Sequence, residues 1–524
     1  MCIDFMSKHN SKKTMLKNKE SNVISVDIGT SSVRACLVDP TLNIIYHTQS
    51  PINLSIDIGG KAEQDSDEII NAAFKCITNV TKWAEKANYR PEALCFSNTV
   101  SSLVCLDSNF MPARPIMTYA DVRACDEAIK LKIKFGKELF HQTACPVHAS
   151  YWLPKLIWLK NQNFPLSTSN YFCTIKDVLI YKLTGHFVTD YSNAVATGMC
   201  NVTSGDWDLS LLKLAGIKPE QLPVILPTTT IIQTKKTLYP ADLNLPENLK
   251  IVLGATDGVL SSLGAGAIKS GQVTTMIGSS GACRIAAESP LINDSEIRTW
   301  SYPLADGIWI RGGAMNSGGL VAQWLVNNFF QAQSQSEEQA FYEALEQASL
   351  IDAGSDGLTF LPYLFGERAP IWDENARGVY FGIHGNHHRG HFARATIEGI
   401  LFALYSIFEI LKSNQEEEIE IRATGGYLRS HLMLQIQANI FGIPVGIPRN
   451  YEGSSVGAAA LAFRAMHMFS SLDEVSELIQ IEKTYKPDKL QSNYYKSAYI
   501  NFKELYQQLK PLFRKTNPVK KHET

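Results

Sequence analysis

The sequence lacks the features that mark membrane-spanning, nucleic-acid-binding and zinc-binding proteins. No apolar run reaches the roughly 18 residues that a membrane helix needs. The formal net charge of -2 gives no reason to expect binding to nucleic acid or to a membrane surface. The ten cysteines all lie at or before Cys283 and include no C-x-x-C pair, so neither a zinc ribbon nor a thioredoxin-like site is indicated.

Both ends of the chain are polar and rich in lysine. The first 22 residues contain five lysines and lack the apolar core of a signal peptide. We therefore expect residues 1–22 to be a disordered extension and residues 513–524 to be a flexible tail. The scattered cysteines resemble small buried apolar residues of a reducing compartment, which predicts a cytoplasmic protein.

The length of 524 residues predicts more than one domain, because a domain usually holds about 100–200 residues. A Gly/Ala-rich stretch, residues 254–267, precedes a predicted boundary near residue 267 and would allow one half to move against the other. The predicted domains are residues 23–267 and 268–512. Strands mixed with helices predict an α/β fold.

Two segments of the chain share one plan, a strand, a small polar turn and a second strand. Residues 23–39 contain the turn D-I-G-T-S-S, and residues 273–286 contain the turn G-S-S-G. Each segment is predicted to be a β-hairpin. The recurrence of this plan indicates two related halves.

Apolar residues at helical spacing predict two long helices in the second half. One covers residues 392–412, and the other covers residues 499–510. Pro511 is expected to end the second helix, because proline lacks an N–H group and clashes with the preceding turn.

The two polar turns contain groups that can hold phosphate. Backbone N–H groups and the hydroxyls of Thr30, Ser31, Ser279 and Ser280 can contact phosphate oxygens, and the adjacent Asp27 can hold Mg²⁺. Either motif alone is better explained as a structural turn. A structural turn need not recur, however, so the pair leaves a triphosphate site and two plain turns as open alternatives.

Two further segments follow apolar strands. Asp257, in G-A-T-D-G, can accept the proton of an attacking hydroxyl, or it can cap the next helix. Gly425 and Gly426, in T-G-G, allow a flat ring to approach the backbone, or they form a tight turn. The residues alone leave both pairs of alternatives open.

Taken in order, these segments resemble the FGGY family of carbohydrate kinases. The shared order is D-x-G-T, Asp-Gly, G-[ST]-[ST] and Gly-Gly, and residues 378–398 and 155–159 match two longer stretches of the family. The resemblance covers about residues 23–512. It implies two actin-like domains of the ribonuclease H-like, hexokinase-type ATPase fold, with the active site in an interdomain cleft.

The resemblance also implies a role for each matched residue in direct phosphoryl transfer from ATP with Mg²⁺. Asp257 would be the general base, and Asp27 would act on the Mg²⁺–phosphate side. The remaining implied contacts are Thr30 and Ser31 to the transferring phosphate, Ser279 and Ser280 to the nucleotide phosphates, and Gly425 and Gly426 to the adenosine.

The predicted substrate is a small sugar acid, because residues 117–124 (M-T-Y-A-D-V-R-A) and the A-P-I-W within residues 361–378 are most similar to gluconokinases. The implied reaction converts D-gluconate to 6-phosphogluconate. Tyr119, Asp121, Arg123 and Asp257 are expected to contact the sugar, with Arg123 pairing with its carboxylate and Asp121 with its hydroxyls. The alternative for Arg123 is a structural ion pair. A homodimer is left open.

Residues 97–102, S-N-T-V-S-S, depart from the family pattern. They lack the Met-His of xylulokinases and many gluconokinases, and the Arg-Glu of glycerol kinases. The alternatives are therefore a pentulose kinase such as xylulokinase and a catalytically silent ATP-binding sensor on the same scaffold. The presence of Asp257 and of both polar turns favours an active kinase.

Overall fold

The computed structural model describes residues 21–57, 59–166, 170–240, 243, 245–246, 248–331, 336–413, 417–449 and 452–516. These residues form two compact units. The first unit contains the described residues up to 268, together with residues 287–310 and 452–479. The second unit contains residues 269–286 and the described residues of 311–451 and from 480 onward.

The strands of the described residues run along the chain as β1 (Ser21–Ile28), β2 (Ser32–Val38), β3 (Ile44–Pro51), β4 (Ser55–Ile56), β5 (Ala62–Gln64), β6 (Arg90–Asn98), β7 (Val104–Leu106), β8 (Ile116–Met117), β9 (Tyr171–Cys173), β10 (Val188–Asp190), β11 (Cys200–Asn201), β12 (Asp206–Trp207), β13 (Val224–Leu226), β14 (Ile231–Gln233), β15 (Lys250–Thr256), β16 (Gln272–Ile277), β17 (Gly281–Ala287), β18 (Trp300–Pro303), β19 (Trp309–Met315), β20 (Thr359–Leu361), β21 (Val379–Phe381), β22 (Glu420–Thr424), β23 (Val445–Pro448) and β24 (Ile481–Tyr485).

The helices are α1 (Ser66–Lys86), α2 (Cys125–Thr143), α3 (Trp152–Asn161), α4 (Ile175–Thr184), α5 (Tyr191–Ala196), α6 (Leu209–Ala215), α7 (Asp257–Gly264), α8 (Gly319–Phe329), α9 (Glu337–Ser349), α10 (Arg389–Lys412), α11 (His431–Phe441), α12 (Gly453–Ala465), α13 (Asp473–Leu478) and α14 (Lys489–Thr516). Within the described part of the chain, none of them combines the length and the hydropathy that crossing a membrane requires.

The first unit is built on a mixed sheet with the strand order β14-β15-β6-β1-β2-β3. Strands β1, β6 and β15 are parallel, whereas β2 is antiparallel to both β1 and β3. The predicted first hairpin is thus confirmed as β1–β2. Helices α1 and α12 pack against this sheet, and the apolar residues of β1 and β6 are buried in its core.

The second unit contains the strand order β19-β17-β16-β22-β23-β24. Strands β16 and β17 are antiparallel, which confirms the second predicted hairpin, while β16, β22 and β23 are parallel. The long helix α10 lies in the core of this unit, because apolar residues recur on most of its surface. It begins at Arg389, slightly before the predicted start at residue 392.

The predicted end of the last helix at Pro511 is wrong. Helix α14 runs from Lys489 to Thr516 with Pro511 inside it. An internal proline costs a helix about 3 kcal/mol. Phe513, beyond the proline, is buried in the core of the second unit, and burying such a side chain returns about 1.5–3 kcal/mol. The first four residues of the predicted flexible tail are therefore helical, and residues 517–524 lie outside the described residues.

The predicted N-terminal extension, residues 1–22, also ends earlier than expected. Ser21 and Asn22 belong to β1, because they pair with Arg90 and Pro91 of β6. Residues 1–20 lie outside the described residues.

The two units differ from the two contiguous domains that the sequence predicts. The chain leaves the first unit after residue 268, next to the predicted boundary, but it returns for residues 287–310 and 452–479. The second returning segment contains α12, which packs against β1, β6 and β15. These contacts join residues that are far apart in the sequence, so a local change in amino-acid composition cannot predict them.

The Gly/Ala-rich stretch 254–267 is mostly regular structure, the end of β15 followed by α7. Its glycines allow close packing. A Cβ atom on Gly264 would lie 1.9 Å from the Gly453 carbonyl oxygen, and one on Gly457 would lie 1.9 Å from the Leu260 carbonyl oxygen. Helices α7 and α12 therefore cross with their backbones in contact.

We expect Gly457→Ala to destabilise the protein by about 1–3 kcal/mol or more, because the added methyl group meets a backbone atom that cannot move aside. The melting temperature should fall clearly. Gly136→Ala is the matched control, since Gly136 also lies in a helix but its Cβ would meet only Lys132 Cγ at 3.7 Å. That variant should gain up to about 1 kcal/mol from helix propensity. Equal melting temperatures for both variants would contradict the close backbone contact between α7 and α12.

Candidate active site

Asp27 and Asp257 lie at the same edge of the first unit's sheet. In the register of the parallel strands, Asp27 of β1 and Ala255 of β15 both pair with Ser97 of β6. Two strand spacings separate the outer strands, which is roughly 10 Å. Asp257 follows directly after β15, so the sheet brings the two predicted acids to one edge, where parallel α/β sheets bind ligands.

Asp257 is the first residue of α7 and is half-buried. The N-cap of this helix is Thr256, whose side chain makes no capping hydrogen bond. One carboxylate oxygen of Asp257 accepts a hydrogen bond from the Gly258 N–H at 2.7 Å. Asp257 is therefore not the N-cap residue of α7. Its carboxylate lies at the N-terminus of the helix, where negative charge is favoured.

The Asp27 carboxylate has one oxygen with a partner and one without. Its Oδ2 accepts a hydrogen bond from Ser454 Oγ at 3.0 Å. Its Oδ1 is buried and has no hydrogen-bond partner among the described residues. Because an unpaired buried carboxylate oxygen is costly, this geometry fits a cation or a cation-bound water. The hydroxyl of Ser454 was not predicted, although it belongs to the small-residue run G-S-S-V-G-A-A-A after residue 452.

The hairpin tip after Asp27 is held by its backbone, which leaves its hydroxyls available. The Thr30 carbonyl accepts a hydrogen bond from Gln64 Nε2 at 2.8 Å, and the Ser31 carbonyl accepts one from the Ile52 N–H at 3.0 Å. The hydroxyls of Thr30 and Ser31 form no hydrogen bond with any described residue. Ser31 is exposed and Thr30 is half-buried, so both can meet a phosphate.

The corresponding turn of the second unit contacts the N-terminus of α8. The Gly319 N–H donates to the Gly278 carbonyl at 2.7 Å, and the Leu320 N–H donates to the Ser279 carbonyl at 3.0 Å. A Cβ atom on Gly318 would lie 2.4 Å from the Ser280 backbone. These hydrogen bonds fix the turn against the N-terminus of α8, and the phosphate role of Ser279 and Ser280 stays a prediction. The Gly-Gly pair at residues 318–319 is the sequence feature that could have predicted this close contact.

Gly425 and Gly426 lie next to this turn. Strand β22 is parallel to β16, and Thr424 pairs with Met276, so both strands end at one edge. Gly425 has a φ of 97°, and a Cβ atom there would lie 2.7 Å from the Ile277 carbonyl oxygen. Two motifs that are distant in sequence, the serine turn and the Gly-Gly pair, are therefore adjacent in the second unit.

Asp121 and Arg123 form an ion pair with each other. Asp121 is fully buried, and Arg123 Nε and Nη2 donate to its carboxylate at 2.5–3.1 Å. The Ala62 N–H donates to Asp121 Oδ2 at 3.1 Å. The carboxylate of Asp121 is thus occupied within the protein, so the predicted contact with sugar hydroxyls has no support in this geometry. Asp121 instead orients Arg123.

Arg123 belongs to a larger charged cluster, which consists of Lys61, Glu63, Arg114, Asp121 and Arg123. Its Nη2 donates to Glu63 Oε1 at 2.6 Å, and Arg114 Nη2 donates to the same oxygen at 2.7 Å. Burial disfavours the charged form of Arg123, but the hydrogen bonds that its guanidinium donates to Asp121 and Glu63 outweigh this and raise the pKa of Arg123. The guanidinium also lies 4.7 Å from the ring centre of Trp158. Nη1 donates to none of the described residues.

Tyr119 is half-buried and lies, in the sequence, between Thr118 and the ion-paired Asp121.

Glu63 is the residue of this region that the sequence did not predict. It lies in β5, which pairs with β8 through Met117, so sheet pairing rather than a local motif brings it to Arg123.

Family models match both halves of the chain. The N-terminal domain model of the FGGY family of carbohydrate kinases matches residues 22–264, and the C-terminal domain model matches residues 274–466. The chain belongs to the FGGY family of carbohydrate kinases. It is therefore an ATP-dependent sugar kinase, and kinases of this family use ATP with a divalent metal.

Similar proteins and structures agree with this assignment. A gluconokinase of Bacillus subtilis is 33% identical over 495 residues, which cover 93% of this chain and 96% of that protein. A crystal structure of a gluconate kinase from Lactobacillus acidophilus has a TM-score of 0.89 and 32% identity, covering 95% of this chain and 100% of that one. A xylulose kinase structure from the same organism has the same TM-score, identity and coverage. The fold is the two-domain, actin-like ATPase fold of these kinases.

The unpaired Oδ1 of Asp27 leads to a prediction about the metal. Asp27→Asn removes the negative charge, so we expect the Mg²⁺ concentration for half-maximal rate to rise at least 10-fold and kcat to fall. Calorimetric titration of Mg²⁺ in the presence of ADP should show the same weakening. Asp39→Asn is the control, because Asp39 follows β2 and its carboxylate accepts hydrogen bonds from the neighbouring Thr41 and Asn43. An unchanged Mg²⁺ requirement in Asp27→Asn would contradict the assignment.

Proposed function

We propose that this kinase phosphorylates D-gluconate to 6-phosphogluconate, with Asp257 as the general base. Two observations support the sugar acid. The chain is 33% and 32% identical to two Bacillus gluconokinases. The region that contains Tyr119 and Arg123 also carries a local excess of positive charge.

The charge of that region is the observation on which the substrate proposal depends. Lys61, Arg114 and Arg123 contribute three positive charges, and Glu63 and Asp121 contribute two negative charges, so the cluster has a net charge of +1. Arg123 is already fixed by its ion pairs, and its Nη1 remains to donate to a ligand. A preoriented guanidinium suits a carboxylate, whereas a neutral ketose gains nothing from the excess charge.

The chemistry of the reaction needs a base and a held phosphate. Asp257 accepts the proton of the sugar hydroxyl while that oxygen bonds to the γ-phosphorus of ATP, and the bond from this phosphorus to the oxygen of ADP breaks. Thr30 and Ser31 supply hydroxyls to the transferring phosphate. ATP supplies the phosphoryl group, and its divalent metal would be held on the side of Asp27.

A pentulose kinase is the second candidate. Xylulose kinases are among the similar proteins, for example one from Staphylococcus epidermidis that is 28% identical over 493 residues. The xylulose kinase structure from Lactobacillus acidophilus matches this fold as well as the gluconate kinase structure does. The charged cluster favours the sugar acid over this alternative.

We expect D-gluconate to have a kcat/KM at least 10-fold above those of xylulose, ribulose, fuculose and glycerol. ADP release with MgATP and each sugar in turn measures this directly. Arg123→Gln serves as the matched variant, since it should weaken gluconate more than any neutral sugar. A clear preference for a neutral ketose would exclude gluconate and leave the kinase activity intact.

Asp257→Asn should lower kcat by about 10²–10⁴-fold, because a carboxamide cannot accept the hydroxyl proton. The KM for the sugar should change little, since the side chain keeps its shape. Asp107→Asn is the control, because Asp107 also accepts a hydrogen bond from a following backbone N–H, that of Asn109 at 2.8 Å. Unchanged turnover in Asp257→Asn would show that another group is the base.

A further inference from the structure

Lys155 is a fully buried lysine whose charge is not paired with a carboxylate. It lies in α3, has no exposed surface and forms no ion pair within the described residues. Lys176, the other fully buried lysine of this region, forms an ion pair with Asp190. Burying an ammonium group is expensive unless it is compensated, so the contacts that Lys155 makes need a specific explanation.

Three backbone carbonyls compensate this ammonium group. Lys155 Nζ donates to the Thr118 carbonyl at 2.7 Å, the Ser101 carbonyl at 2.9 Å and the Met117 carbonyl at 3.4 Å. Three acceptors match the three N–H groups of an ammonium ion. A neutral amine has only two N–H groups, and an apolar side chain has none.

The three carbonyls belong to two segments near the predicted sugar contacts. Ser101 lies in residues 97–102, which include the last two residues of β6 and the turn that follows it, and the end of β6 lies between the ends of β1 and β15. Met117 and Thr118 immediately precede Tyr119. The two segments also contact each other, because Leu103 and Met117 exchange backbone hydrogen bonds at 2.9 and 3.1 Å.

The first of these segments has an unfavourable backbone conformation. Ser101 has a φ of 59°, in the left-handed region that a non-glycine residue seldom adopts, at a cost on the order of 1 kcal/mol. Helix α3 holds this turn twice, through Lys155 at the Ser101 carbonyl and through Trp152 Nε1 at the Ser102 carbonyl, 3.3 Å away. The segment therefore depends on donors from α3.

We propose that Lys155 is a positioning residue that holds residues 97–102 and 117–123 in the arrangement that binds the sugar. This inference rests on the proposed contact of Tyr119 and Arg123 with the substrate. It does not depend on which sugar is the substrate. Lys155 does not itself touch the sugar, since it has no exposed surface.

The charge state of Lys155 gives this role a pH dependence. Burial lowers the pKa of Lys155 to about 7, while the nearby Asp121 opposes the shift and Arg123 adds to it. Below this pH the ammonium satisfies all three carbonyls. As the pH rises through 7, the amine has one N–H group fewer to donate to these carbonyls, so Lys155 holds the two segments less firmly and the apparent affinity for the sugar should fall.

The experiment compares Lys155→Met with Lys160→Met in the full-length enzyme, using the sugar with the highest turnover and ATP. Lys160 is the matched control, because it is an exposed lysine on the same helix. We expect Lys155→Met to raise the KM for the sugar at least 10-fold and to change the KM for ATP less than 2-fold. Lys160→Met should change neither. Equal effects on both KM values, or no effect, would overturn the proposal.

A second measurement applies even if Lys155→Met fails to fold. At saturating MgATP, kcat/KM for the sugar in the unaltered enzyme should fall between pH 6 and 9 with one pKa near 7. Lys155→Arg keeps its charge over this range and should lack that step. A flat profile in the unaltered enzyme, or the same step in Lys155→Arg, would overturn the proposal. A failure of the gluconate assignment in the substrate panel would change only the sugar used here.

Discussion

Hydrogen bonding between parallel strands positions the chemical groups of each unit. In the first unit, β6 lies between β1 and β15, so the residues that follow these strands collect at one edge. Asp27 and Asp257 lie at that edge although they are far apart in the sequence. In the second unit, the pairing of β16 with β22 places the serine turn beside Gly425. Slipping a strand by one residue would turn Asp27 to the other face of the sheet, which explains why the register matters.

Buried polar groups around Tyr119 in the first unit depend on one another. Asp121 has no exposed surface and is neutralised by Arg123. Lys155 donates to backbone carbonyls of two segments, residues 97–102 and residues 117–123. Each of these charges would be costly alone. Together they tie the segment around Tyr119 to its neighbours, so the proposed sugar contacts rest on a segment that the protein's own hydrogen bonds order. Preorganisation of this kind lowers the ordering cost of binding.

The local features of the fold were predictable from the sequence. Both hairpins follow from short β-prone runs around a Gly/Ser turn, and helix α10 follows from its apolar spacing, because these patterns act over a few residues. The end of α14 was not predictable. The cost of Pro511 is local, whereas the burial of Phe513 that offsets it depends on the core of the second unit.

The candidate site likewise combines residues that the sequence predicted with residues that only the structure revealed. Asp27, Asp257 and the two serine turns were identified as single motifs, with a structural explanation open for each. Ser454 and Glu63 were missed, because each reaches its partner through packing or strand pairing across a long stretch of chain. Arg123 was predicted to bind a carboxylate, and the structure adds that it is ion-paired with Asp121 and Glu63.

The sequence by itself determined the family, the order of the phosphate and acid motifs, and the residue types available for catalysis, because these are properties of short segments. Only the tertiary structure decided which of these side chains are buried, which are paired and which carry an unpaired atom. The contacts of Asp27 with Ser454 and of Lys155 with three carbonyls arise from elements brought together by the core. Burial changes the energy of a charge by several kcal/mol, and no local pattern records it.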